Sequence, residues 1–167
     1  MMPPSEGARE GAGRPAGAER FFEDFAVGQS FGSGQLRVDE AAIKAFAAQF
    51  DPQPFHLDAA AARETIFQGL AASGWHTAAL TMRLLVEGEL RPAGGILGAG
   101  FEEFRWPRPV RPGDALRIES VVLEVRPSKS RPGYGLVKLR TATLNQDGEP
   151  VQVMVGTLVV PRRPGGR

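Results

Sequence analysis

The residue inventory limits the chemistry open to this chain, since it has no cysteine and its two histidines are His56 and His76. A disulfide framework, a thiolate nucleophile and a cysteine-based zinc or iron–sulfur site are therefore excluded. One of the histidines falls among carboxylates in a proline-bearing run, Asp51-Pro52-Gln53-Pro54-Phe55-His56-Leu57-Asp58. The two prolines restrict the backbone, so an acid–base pair made of Asp51 and His56 can be held toward one point with little entropy left to lose when substrate binds. Histidine exchanges a proton near neutral pH, and a neighbouring carboxylate either orients the imidazole or shares a water with it. The plainer reading makes Asp51 a helix-end residue, His56 a partly buried polar side chain and Asp58 a helix cap. For Asp58 the cap is the better explanation.

Other elements have to position this run. Residues 1–20 contain little that can be buried and are expected to form a mobile arm, with one domain over 21–161 and a tail over 162–167. A first strand is expected over 31–38. Asp39 sits at an N-cap position, and Ile43, Ala47 and Phe50 recur at the spacing of an amphipathic helix that ends at Phe50. Pro52 and Pro54 stop that helix and leave a stiff loop; Asp58 then caps a short alanine-rich helix. Residues 73–87 are apolar on nearly every side, the pattern of a buried helix. Strands follow over 96–106, 114–125, 134–144 and 151–160, with Asp147-Gly148 suited to a tight hairpin turn. Helices first, then antiparallel strands, and one wholly apolar helix predict an α+β domain whose sheet surrounds that helix. At its start, Ser73-Gly74 reads either as an ordinary N-cap with a flexible first-turn residue, or as an amide donor for negative charge at the positive end of the helix dipole.

The motif Asp51-x-x-Pro54-x-His56-x-Asp58, preceded by Phe46-Ala47-Ala48-Gln49-Phe50 and followed by Ser73-Gly74-Trp75-His76-Thr77, resembles the hydratase motif of MaoC-like dehydratases and R-specific enoyl-CoA hydratases. The similarity extends over nearly all of 21–161 and includes Val110-Arg111-Pro112-Gly113-Asp114 before a strand. It implies a hotdog fold, an antiparallel sheet around a long apolar helix, in dimers with active sites near the subunit boundary. The implied activity is hydration of a trans-2-enoyl-CoA to a 3-hydroxyacyl-CoA, through a water held by Asp51 and His56 and with the Gly74 N–H meeting the thioester oxygen. Gln53, Pro54, Ser73 and Trp75 would contact substrate. The chain departs from the family pattern at Gln53, where asparagine is usual, and at Ser73, where histidine is common. A serine that some members carry on the central helix corresponds to Met82 here, with Thr81 beside it and Thr77 a turn earlier.

Arg108, Arg111, Lys129 and Arg131 lie in turn-rich segments, and the case for meeting coenzyme A phosphates is drawn most directly on Lys129 and Arg131. His76, in the first turn of a helix, reads better as a packed side chain than as a metal ligand, because two histidines without a soft third ligand suit no dedicated metal site. No cofactor is expected beyond the coenzyme A of the substrate itself. A net charge of +1 argues against a nucleic-acid partner. Neither a signal peptide nor a membrane span is apparent, so a cytoplasmic enzyme that self-associates is expected. Two alternatives use the same pocket: a thioesterase, which would release free CoA thiol, and a non-catalytic acyl-CoA or acyl-carrier binder.

Overall fold

The computed structural model describes residues 17–165, so most of the expected N-terminal arm and the last two residues lie outside the described residues. Arg20, assigned above to the arm, is tied into the domain: its N–H donates to the Arg91 carbonyl at 2.8 Å and its guanidinium stacks on Phe31. Arg162 and Arg163, assigned to the tail, pack on Phe22 and Phe21 and pair with Glu23 and Asp24.

Among the described residues, six strands form one antiparallel system. They are β1 (Ser30–Gly32), β2 (Leu36–Arg37), β3 (Gly98–Arg105), β4 (Ala115–Pro127), β5 (Tyr134–Leu144) and β6 (Pro150–Pro161), in the order β1-β4-β5-β6-β3 with β2 also pairing to β4. The single first strand expected over 31–38 is therefore two short strands, interrupted at Ser33, whose hydroxyl accepts from the Ile118 N–H. The turn after β5 is wider than a two-residue hairpin. It spans 145–149 and is organised by the Asn145 side chain, which accepts from the N–H groups of Asp147 and Glu149, with Gly148 at φ 73°. The glycine is needed there because left-handed backbone is strained for other residues.

Among the described residues there are also a 3-10 turn over Phe22–Asp24 and four α-helices: α1 (Glu40–Phe50), α2 (Pro54–Leu57), α3 (Ala59–Arg63) and α4 (Gly74–Glu87). Asp39 caps α1 by accepting from Ala42 N at 2.6 Å, and Asp58 caps α3 by accepting from Ala60 N at 2.8 Å, each at the position its sequence context predicts. The stiff loop expected after Pro52 is partly helical: Pro54 occupies the first position of α2, where its missing N–H breaks no hydrogen bond.

α4 packs its Thr81, Leu84 and Leu85 side against the sheet, joining a core that includes Ile118, Val122, Leu139 and Met154. It is not buried all round. Trp75, Ala79, Met82 and Val86 form an exposed stripe at helical spacing, with Trp75 62% and Val86 60% exposed. The apolar sequence predicts burial within one chain, but a single chain covers only part of the helix surface. Beside it, β3 is one of the sheet's edge strands, with Phe101 exposed on it and Leu97 exposed just before it. No helix among the described residues is long and apolar enough to cross a membrane. The arrangement is the α+β antiparallel sheet packed on a long helix that the sequence predicts.

Candidate active site

Asp51 is the residue at which α1 stops. Its N–H closes the last turn onto the Ala47 carbonyl at 2.9 Å, and its φ and ψ have already left the helical region. The plain reading of Asp51 as a helix-end residue is thus correct, and the same turn also aims its carboxylate inward. One oxygen, Oδ2, accepts from Ser73 Oγ at 2.7 Å; the other, Oδ1, accepts from Gln53 Nε2 at 2.5 Å. Burial raises the pKa of this carboxyl. The hydrogen bonds from Gln53 and Ser73 and the charge of His56 outweigh that, so the group is held below its ordinary value. Asp51 is ionised across the neutral range.

His56 projects from α2, buried at 5% exposure, with Nε2 3.3 Å from Asp51 Oδ2. Its other nitrogen, Nδ1, lies 2.6 Å from the carbonyl oxygen of Ala71. A carbonyl can only accept, so a proton sits on Nδ1, and in the neutral form of His56 it is Nε2 that is unprotonated. Two acceptors, Nε2 and Oδ2, then face one another. A donor that touches both, such as a water or substrate hydroxyl, relieves their repulsion, and Nε2 is free to take a proton while the carboxylate stabilises the resulting imidazolium.

The carbonyl that orients His56 is itself held in place. Arg111 donates to the carbonyls of Gly69 (3.0 Å), Leu70 (3.2 Å) and Phe67, and its N–H donates to Asp114. Its guanidinium therefore pins the segment before Ala71, rather than standing free for a coenzyme A phosphate as the sequence reading allowed.

Asp51 and His56 open onto a cleft of about 360 Å³ whose walls include Gly74, Trp75, Thr77, Trp106 and Arg108. Ser73 caps α4 by accepting from Trp75 N at 3.2 Å while donating to Asp51. It has no exposed surface and does not line the cleft; its hydroxyl holds the carboxylate. Gln53, which bonds Asp51, and Pro54, which opens α2, are both exposed and do not line the cleft. Among the described residues, the Gly74 N–H has no protein acceptor, as expected for the first turn of a helix. Glycine at this position has a steric reason. A Cβ at position 74 would lie 2.6–2.8 Å from the Trp106 indole, so the glycine accommodates that ring.

Lys129 and Arg131 are not brought to the cleft. They sit in the β4–β5 turn, beside Tyr134 and its partner Pro161, whereas the cleft lies by the opposite end of β5, where Thr143 pairs with Gln152. Nine residues of strand, about 30 Å, separate the two ends. His76 stacks on Phe46 with ring centroids 4.7 Å apart and its Nδ1 is buried without a partner; desolvation lowers its pKa. Of the helix positions compared above with the family's serine, Thr77 lines the cleft, Thr81 faces the sheet and Met82 lies further along.

The sequence reading missed Trp106 and Gln152. Trp106 forms a wall of the cleft, packs edge-on against Trp75 and Phe104, and donates its Nε1–H to Gln152 Oε1 at 2.9 Å. A glutamine within the valine run 151–155 was the available signal.

Residues 24–143 match the family model described as MaoC like domain. The chain is 59% identical to the crystal structure of the MaoC-like dehydratase from Rhodospirillum rubrum, with TM-score 0.84 over 87% of this chain and 99% of that one. R-hydratase PhaJ1 from Pseudomonas aeruginosa is 30% identical, with TM-score 0.69 over 86% of each chain. Mesaconyl-CoA hydratase from Cereibacter sphaeroides is 31% identical over 87% of this chain, which spans 42% of that protein's length. The uncharacterized protein YdeM of Bacillus subtilis is 32% identical over 83% of this chain and 96% of its own.

Proposed function

The chain belongs to the MaoC-like dehydratase family, and from that premise we propose that it reversibly hydrates a trans-2-enoyl-CoA to a 3-hydroxyacyl-CoA, of R configuration. The observation that carries the reading is the pair Asp51 Oδ2 and His56 Nε2, 3.3 Å apart at a cleft that also contains the free amide of a helix N-terminus. Similarity to R-hydratase PhaJ1 and to mesaconyl-CoA hydratase supports an acyl-CoA substrate.

In the proposed reaction one water donates hydrogen bonds to Nε2 and to the carboxylate. As its oxygen bonds to C3, His56 takes its proton and Asp51, remaining an anion, offsets the imidazolium charge. The electron pair of the C2–C3 double bond moves toward the thioester carbonyl, whose oxygen is met by the Gly74 N–H. A proton passed back from the Asp51/His56 pair to C2 completes the addition of water. The chemistry is acid–base throughout and draws on no cofactor beyond the substrate's own coenzyme A. The exposed Arg108, paired to Glu149 at 3.1 Å, is the cation at the cleft to which a substrate anion would turn.

We place a second copy of the chain against the exposed α4 stripe and the open β3 edge, because large apolar patches and unpaired strand edges are ordinarily covered. Light scattering is expected to give a mass of two chains or a multiple of two; a monomer at micromolar concentration would refute this. For the activity, mixing the protein with crotonyl-CoA is expected to bleach the enoyl-thioester absorbance without releasing free thiol. Thiol release from a saturated acyl-CoA would make it a thioesterase, and neither signal across a panel of enoyl thioesters would leave only a binding protein.

A further inference from the structure

The cleft and a second, apolar cavity lie along the same seam between α4 and the sheet, with a buried polar layer between them. The second cavity, of about 50 Å³, is lined by Met82, Leu85, Phe101, Leu139, Met154 and Leu158 among others. The layer consists of Thr81, Thr143 and Gln152, none with exposed surface, and of the Trp106 indole. Thr81 Oγ1 and Thr143 Oγ1 are 2.6 Å apart, Gln152 Nε2 donates to Thr81 Oγ1 at 3.2 Å, and Gln152 Oε1 accepts from Trp106.

Strand register fixes where the layer stands. Thr143 pairs with Gln152, and on the same face the next rung, Thr141 with Met154, lines the apolar cavity. Gln152 Nε2 is 3.8 Å from Met154 Sδ, so the partition is one rung thick. On the helix, Thr77 lines the cleft, Thr81 a turn later belongs to the layer, and Met82 and Leu85 line the cavity.

A thioester carbonyl at the Gly74 amide sends its acyl chain along α4 past Thr77 and into this layer. Methylenes that advance further must displace hydroxyl and amide groups bonded to one another, leaving buried polar atoms unpaired, and apolar surface gains nothing from touching them. We propose that the Trp106–Gln152–Thr81–Thr143 layer determines specificity, closing the cleft off from the apolar cavity and confining the enzyme to thioesters of short acyl groups, of crotonyl size. The proposal rests on the reading of the cleft as the acyl-thioester site.

The test compares wild type with Gln152→Ala and Thr81→Ala, using calorimetric binding of butyryl-CoA and octanoyl-CoA and hydration of crotonyl-CoA and trans-2-octenoyl-CoA. Wild type is expected to favour the short member of each pair. Opening the partition is expected to move the octanoyl-to-butyryl affinity ratio by about tenfold toward the longer chain, since each newly buried methylene is worth about fourfold. Thr81→Ser, which keeps the hydroxyl, is expected to retain the wild-type ratio, and it covers the case in which Gln152→Ala does not fold. A wild type that binds or hydrates the long member as well as the short one overturns the proposal. So do variants that weaken both lengths by one factor. Short-chain preference in binding with no hydration of any enoyl-CoA would defeat the hydratase reading and leave the partition standing; hydration at every length would do the reverse.

Discussion

Asp51→Asn and His56→Ala are each expected to lower the rate of enoyl-CoA hydration by about 10³-fold, the usual share of a positioned acid–base group. Asparagine at 51 is isosteric and still accepts from Ser73 through its carbonyl. With its carbonyl there, the amide meets the Gln53 amide donor in place of an acceptor, and the negative charge that offsets the His56 imidazolium is gone. Alanine at 56 removes the base and strips the Ala71 carbonyl of the partner 2.6 Å away, so a loss of stability of about 1–3 kcal/mol should accompany the loss of rate. Initial rates of absorbance change, set beside urea denaturation, separate the two effects; full activity in either variant would remove that residue from the mechanism. The pH dependence follows from the Asp51 shift. Its folded-state pKa lies below the ordinary 3.8, so the carboxylate contributes stability that is present above 3.8 and is lost as pH falls through the lower folded value. The stability difference between wild type and Asp51→Asn should therefore hold at neutral pH and shrink only below about 3.8.

What the sequence reveals and what it hides divide along one physical line. Asp51 and His56 are legible because the turn that joins them is short and punctuated by proline, so local backbone chemistry brings them together. The caps at Asp39 and Asp58 are legible for the same reason. Ser73 reaches Asp51 across 22 positions and Trp106 reaches Gln152 across 46, and such contacts depend on strand order and register, which no local spacing encodes. Composition draws Lys129 and Arg131 toward the substrate because turns collect cations; an antiparallel strand has a turn at each end, and composition does not say which end holds the cleft. The exposed stripe of α4 reads as core because apolar periodicity reports that a face is covered without reporting by what.

Gly74→Ala is expected to destabilise the protein by about 1–3 kcal/mol, the ordinary range for overpacking a well-fitted contact. The sign is informative, because alanine in place of glycine normally stabilises a helix by roughly 0.5–1 kcal/mol. Here the added methyl would sit 2.6–2.8 Å from three atoms of the Trp106 indole, too close for either to remain in place. The ring has little freedom to retreat, being bonded to Gln152 and wedged between Trp75 and Phe104. Trp106→Ala alone should also destabilise, through lost packing and an unpaired Gln152. If the two positions are opposed as the geometry indicates, alanine at position 74 is tolerated once the indole is gone, and the double variant is more stable than the sum of the single effects by more than about 0.5 kcal/mol. Additive losses in urea titrations would mean that the glycine serves something other than the ring. Activity completes the argument, since alanine carries the same N–H as glycine. A double variant that recovers hydration of crotonyl-CoA relative to Gly74→Ala would show that the position must supply an amide and yield space to tryptophan, whereas stability recovered without activity would return the glycine to a direct role against substrate.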